Sequence, residues 1–127
     1  MRRVLCGLSV AVIAVGTVLG AGIASAEMSP AKQRQSAMKA LGGHMKAIGA
    51  VAKGKVAHSA ATAVHAQAIH EISQYLGLLY PAGSGGEETR AKPEIWSDSS
   101  GFSAKIDDFA AVTPFLVAAA KTGNAGA

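Results

Sequence analysis

The chain has 127 residues, of which 50% are hydrophobic and 16% charged, and its formal net charge is +4. This length suits one small domain, and the absence of a basic run interleaved with aromatic residues gives no support to nucleic-acid binding. The acidic residues are spread along the chain with no nucleophile and base beside them, so the sequence is not expected to be an enzyme.

Residues 1–26 predict a secretory signal peptide. Two arginines precede a long uncharged apolar run, which ends in the small-residue stretch Ala24-Ser25-Ala26. We expect cleavage after Ala26 and export to the periplasm, with membrane contact limited to the uncleaved peptide. A retained membrane anchor is the alternative, because the apolar run approaches the length that spans a bilayer.

The mature chain, residues 27–127, is predicted to hold its core without a disulfide. The single cysteine of the sequence, Cys6, lies within the signal peptide. Of the twelve Lys and Arg residues two leave with that peptide, so ten remain against eight Asp and Glu. This near balance of charge indicates no particular partner.

The first predicted helix covers about residues 30–50. Ser29-Pro30 has the pattern of an N-cap followed by a proline at the first helical position. Apolar residues at helical spacing predict its buried face, namely Met38, Leu41, Met45 and Ile48. Lysines recur every seven residues on another face, namely Lys32, Lys39, Lys46 and Lys53.

The second predicted helix covers about residues 59–80 and stops before Pro81, since proline cannot continue a helix. Its predicted buried face consists of apolar residues at helical spacing, namely Ala61, Val64, Ala68, Ile72, Tyr75 and Leu79. The stretch PAGSGGEETRAKP that follows is rich in Gly, Pro and charge, and it is predicted to be a loop.

The third predicted helix covers about residues 98–121, with Ser97 or Asp98 as its N-cap. Pro114 lies inside it and should kink the helix or remove one hydrogen bond. The predicted stripe on this helix is Phe102, Ile106, Phe109, Thr113 and Leu116. No segment alternates with a period of two, so the predicted class is all-α. The expected architecture is an antiparallel up-down bundle with three of four helices present.

Two segments carry a resemblance to a known family. RQSAMKALGGHMKAIGAVAKGK in the first helix and TRAKPEIWSDSSGF in the loop resemble the two signatures of the cytochrome c′ family. These are four-helix c-type cytochromes, and they include low-spin relatives with methionine as the second axial ligand. The resemblance runs from about Ser29 to Asn124. It implies iron and haem c binding, one-electron transfer and a periplasmic redox partner, with a homodimer as a possible assembly.

The resemblance assigns roles at the haem to five residues. It implies that Arg34 lies beside a haem propionate, that Gln35 lies at the haem edge, and that Met38 points at the distal side of the iron as a candidate metal ligand. Diatomic gas binding is a second implied activity if Met38 does not coordinate. Thr89 would approach the propionates, and Trp96 would pack at the end of the haem pocket. Taken alone, a methionine on an apolar stripe is a core residue.

The sequence departs from the family at the haem attachment. A c-type haem is held by two cysteine thioethers in Cys-x-x-Cys-His, which the family carries near the end of the fourth helix. The 127 residues contain no such motif, so covalent attachment is not expected of them. We therefore expect a chain truncated before the fourth helix. The alternative is a haemless helical interaction module or a non-functional remnant.

The four histidines are predicted to be ordinary, partly exposed side chains. His65 and His70 are five residues apart and do not share a helical face. The segment HEISQ begins like a zinc-protease motif and lacks its second histidine. His44 lies more to the side of Met38 than opposite it, so a replacement haem ligand is not expected there.

Overall fold

The computed structural model describes residues 28–86 and 88–123. Four α-helices and one 3-10 turn form in this part of the chain, and no strand forms there, which confirms the all-α class. In chain order they are α1 (Pro30–Ala52), α2 (Ala60–Tyr75), the 3-10 turn (Leu76–Leu79), α3 (Glu94–Ser97) and α4 (Ser99–Thr122). The predicted signal peptide lies outside the described residues. None of the helices within them is long and apolar enough to cross a membrane.

The ends of the helices follow from capping residues in the sequence. The Ser29 side chain accepts a hydrogen bond from the Lys32 backbone N–H at 3.3 Å, and Pro30 opens α1. The Asp98 carboxylate accepts one from the Gly101 N–H at 3.1 Å and so starts α4. Gly123, with φ of 72°, ends α4 in the left-handed conformation that glycine adopts without strain.

Helix α2 is the centre of the fold, because it packs against both α1 and α4. Within the described residues, no Cα atom of α1 comes within 8 Å of a Cα atom of α4. The backbones of the outer helices therefore stay apart, although the Ile48 side chain of α1 packs against the core between α2 and α4. The core lies between α2 and α4 and is formed by Ala66, Val117 and Ala120, with Ile48 and Leu116 packed against them.

The predicted buried faces of α1 and α2 are only partly right. Met38 and Met45 are 44% and 48% exposed, and Val64 on α2 is 66% exposed. Ile72 is buried as predicted, and the half-buried residues of the predicted faces are Leu41, Ile48, Ala68 and Leu79. The other buried residues of these two helices are mostly small or hydroxylated, namely Ala31, Arg34, Ala37, Thr62, Ala66, Ile69 and Ser73. Small side chains let α2 approach α1 and α4 closely. The helices therefore pack through the faces that carry alanine, serine and threonine.

Helix α4 runs through Pro114 without a break. Proline has no N–H, so the carbonyl of Ala110, four residues earlier, loses its helical donor. The Thr113 hydroxyl donates to that oxygen at 2.9 Å and replaces the missing bond. The predicted loss of one hydrogen bond is thus compensated by the neighbouring side chain, which is itself buried at 1% exposure.

Candidate functional site

Arg34 ties the long loop between α2 and α4 to helix α1. Its Nη1 donates to the Leu79 carbonyl at 2.9 Å and to the Ser84 hydroxyl at 3.2 Å. Its Nη2 donates to the Ser84 carbonyl at 3.1 Å and to the Thr89 hydroxyl at 3.0 Å. All four terminal N–H groups therefore have protein acceptors, and the side chain is 3% exposed. Arginine suits this position because its planar fork can serve several acceptors at once.

Aromatic rings cover the other side of the guanidinium. Its carbon lies 4.9 Å from the centre of the Tyr80 ring and 5.7 Å from that of Trp96. Tyr80 also packs edge-on against Phe102 of α4, with ring centres 4.7 Å apart. The cation is thus held between rings as well as oxygens, which compensates for its removal from water.

Trp96 lies on the short helix α3, which the sequence predicted to be part of a loop. Its indole Nε1–H donates to the Pro81 carbonyl at 2.9 Å. A Cβ added at Gly85 would lie 3.1 Å from the indole ring, so the absent side chain there gives the ring its room. The loop folds back on the bundle at both of its ends.

Four of the five residues expected at a haem line one groove, of about 1040 Å³, beside α1. They are Arg34, Gln35, Met38 and Thr89, and Tyr80 and Ile95 close the groove on the side of the loop. Trp96 does not line it. The indole faces a neighbouring cavity of about 610 Å³, which shares Tyr80 and Ile95 as its wall.

The remaining polar groups of the groove are held by the loop. Gln35 donates from Nε2 to the Glu88 carbonyl at 2.7 Å, so this amide pins the loop as Arg34 does. Thr89 accepts from the Ala91 N–H at 3.1 Å as well as from the arginine. Two thioethers line the groove, those of Met38 and Met28, which are 44% and 52% exposed.

The groove suits a flat apolar group that carries carboxylates. Among the described residues its lining includes the cations Lys32, Lys39 and Arg90 besides Arg34, against the single carboxylate of Glu88. Thioether, phenyl and aliphatic side chains supply the apolar part of the surface. This combination fits the distal face and the propionate edge of a haem. Among the described residues no His or Cys lines the groove, so this part of the chain supplies no proximal ligand there.

Each histidine has a partner elsewhere in the fold. His58 Nε2 lies 2.7 Å from the Ala120 carbonyl, and His70 Nδ1 lies 2.8 Å from the Thr113 hydroxyl. His44 and His65 contact each other across α1 and α2. In the described part of the chain, no group of three or more His, Cys, Asp or Glu side chains could hold a metal ion.

Sequence reasoning missed two residues of this site, Tyr80 and Ser84. In the sequence, Tyr80 is the last residue of the second predicted helix, just before Pro81. An aromatic residue at that position could have indicated that its ring packs against the bundle. Ser84 lies in a run of glycine and serine with no pattern. Its role depends on a contact fifty residues away along the chain, which local sequence cannot show.

The sequence model of the family described as Cytochrome C′ matches residues 29–127. The chain belongs to the cytochrome c′ family. It is 38% identical over 92 residues to the cytochrome c′ of Pararhodospirillum photometricum, across 72% of this chain and 74% of the relative. It is 32% identical over 128 residues to that of Rhodospirillum rubrum, across 100% of this chain and 85% of the relative.

A solved structure agrees with this assignment. The cytochrome c′ of Rubrivivax gelatinosus aligns with a TM-score of 0.67 at 34% identity, across 77% of this chain and 80% of that one. Members of the family are c-type cytochromes that bind haem c. The fold and the family expected from the sequence are therefore confirmed, and the roles of the five site residues stay predictions.

Proposed function

We propose that this chain is an exported haem-binding electron carrier whose groove beside α1 receives the haem. The observation that supports it is the convergence of Arg34, Gln35, Met38 and Thr89, from two segments distant in sequence, on one groove with cationic and apolar walls. When bound, the haem supplies one-electron exchange at its iron, and axial ligand and burial set its potential.

The chain's own residues orient and shield the group. Met38 would cover one face of the haem, either as a ligand of the iron or as the wall of a site for a diatomic gas. Lys32, Lys39 and Arg90 line the groove and would be available to the carboxylates. Arg34 would bind a propionate in exchange for a present acceptor, because its four terminal N–H groups are already used by Leu79, Ser84 and Thr89. The Cys-x-x-Cys-His motif for covalent attachment is not among the 127 residues.

The test is to fractionate cells of its host, to purify the product, and to record its absorbance and its intact mass. We expect the product in the periplasmic fraction and a Soret band in its absorbance. We also expect Met38→Ala to change the position or intensity of the band, with Met45→Ala as the matched control on the same helix. A haem-free product that purifies as a complex with another protein would refute the proposal and favour a helical interaction module.

A further inference from the structure

A second pair of donor atoms lies away from the groove, between α1 and α2. His44 on α1 and His65 on α2 place their Nδ1 atoms 2.9 Å apart, with ring centres 5.2 Å apart and ring planes at 51°. Both side chains are half-buried, so solvent and small ions reach them. Neither residue lines the groove or the neighbouring cavity. The proposed haem function makes no use of them.

The spacing of the two nitrogens matches a particular coordination geometry. With metal–nitrogen bonds of about 2.0–2.1 Å, two cis ligands at a right angle lie about 2.9 Å apart, whereas two tetrahedral ligands lie about 3.3–3.4 Å apart. The observed 2.9 Å is the length of the hydrogen bond that joins the rings without metal, and it equals the cis separation, so two-nitrogen coordination would need rotation of the rings but no movement of the helices. Square-planar and tetragonal sites with nitrogen ligands are those of Cu(II) and Ni(II), and Cu(II) binds more tightly than the other divalent first-row ions.

We propose that His44 and His65 form a two-imidazole site for a divalent transition metal that prefers tetragonal coordination. Cu(II) is the ion expected to bind there most tightly. Without metal, one neutral imidazole donates its Nδ1–H to the other. With metal, both rings carry their proton on Nε2 and turn both Nδ1 lone pairs towards the ion. The change is a tautomer shift with no net loss of protons.

The helices hold the two ligands in place before the metal arrives. Each histidine lies within a continuous α-helix, and α1 and α2 pack against each other along their length. The site therefore needs only ring rotation and no closing of a loop. Holding both imidazoles at a fixed distance raises the effective concentration of the second ligand once the first has bound.

The charges around the pair do not oppose a cation. The residues one turn away from His44 on α1 are uncharged, as are those one turn away from His65 on α2. They are Ala40, Leu41, Ala47, Ile48, Ala61, Thr62, Ala68 and Ile69. Lys39 and Lys46, the nearest lysines in sequence, lie about 140° and 160° around α1 from His44 at 100° per residue. With no third protein ligand in the described residues, water completes the coordination.

The experiment is a Cu(II) titration of the full-length product as its host makes it, followed by calorimetry and by electron paramagnetic resonance of the copper. We expect one site whose signal shows coupling to two imidazole nitrogens. His44→Ala and His65→Ala should each weaken binding by about two orders of magnitude, because one ligand of a held pair is lost. The residual signal should show a single imidazole.

The matched control is His58→Ala, which removes an imidazole and leaves the pair intact. It should bind Cu(II) as the unaltered protein does, and circular dichroism should show the same helix content in all variants. Equal binding after loss of His44 or His65 would overturn the proposal, as would a signal with no imidazole coupling. Zn(II) binding more tightly than Cu(II) would also overturn it, because the site would then be tetrahedral.

Discussion

Replacing Arg34 by methionine is the most direct test of how the site is held together. The change removes four hydrogen bonds and a cation held over two rings, and it leaves an apolar chain of similar length in a position that is 3% exposed. The two bonds to backbone carbonyls are worth about 1.5 kcal/mol each, and water replaces those to the loop hydroxyls. We therefore expect the free energy of unfolding to fall by about 3 kcal/mol, whereas the whole free energy of unfolding of a domain is about 5–15 kcal/mol.

The assay is urea denaturation followed by far-ultraviolet circular dichroism, with Trp96 fluorescence as a reporter of the loop. Arg34→Lys should lower the free energy of unfolding by about half as much as Arg34→Met, because an ammonium keeps the charge but cannot reach the same four acceptors. Lys46→Met is the matched control on α1, at an exposed position that lines neither cavity, and it should change stability by less than about 0.5 kcal/mol. Equal stability of Arg34→Met and the unaltered chain would refute the reasoning.

Three further substitutions test the supports of the site. Thr113→Val should cost about 1–3 kcal/mol in a thermal melt, because the Ala110 carbonyl and the His70 ring lose their buried partner; an unchanged melting temperature would disprove the compensation at the helix proline. Asp98→Ala should lower the free energy of unfolding in urea by about 1 kcal/mol, because the cap of α4 is lost. Asn is also a good cap, so a variant with Asp98→Asn that is as unstable as Asp98→Ala would contradict the capping role. Trp96→Phe should cost about 1 kcal/mol and speed proteolysis of the loop, whereas equal cleavage rates would mean that its indole hydrogen bond does not hold the loop.

The bounds of the long helices could be predicted because they depend on local chemistry. The cap at Ser29, the caps near Asp98 and the break at Pro81 act on neighbouring backbone groups, so a single sequence shows them. The prediction for the second helix was too long as an α-helix, since the chain tightens into a 3-10 turn at Leu76–Leu79. Such a turn uses the same residues as an α-helix and leaves no separate pattern.

The buried faces could not be predicted, because side-chain size is a poor guide where helices come close. Spacing of large apolar residues selected Val64 and Tyr75 on α2, which are 66% and 40% exposed. The chain also buries Ser73, whose hydroxyl lies 3.2 Å from that of Thr113 on α4, and Thr62, whose hydroxyl accepts from the Ser59 N–H at the start of α2. On α4, Thr113 of the predicted stripe is buried and Phe102, Ile106, Phe109 and Leu116 are half-buried, as the pattern indicated.

Only the family signatures indicated the five site residues, and the roles of these residues at a haem stay predictions. A lone arginine on an amphipathic helix would ordinarily be solvated. Here Arg34 is buried because the loop brings carbonyl and hydroxyl oxygens to it from Leu79, Ser84 and Thr89. The loop is therefore tied to α1 by the protein's own contacts before any carboxylate arrives. A propionate that binds Arg34 through Nη1 or Nη2 must displace one of these oxygens, and the Ser84 and Thr89 hydroxyls are the ones that water can satisfy afterwards. Cofactor binding should then loosen the loop at Ser84 or Thr89 while the carbonyl bond from Leu79 persists.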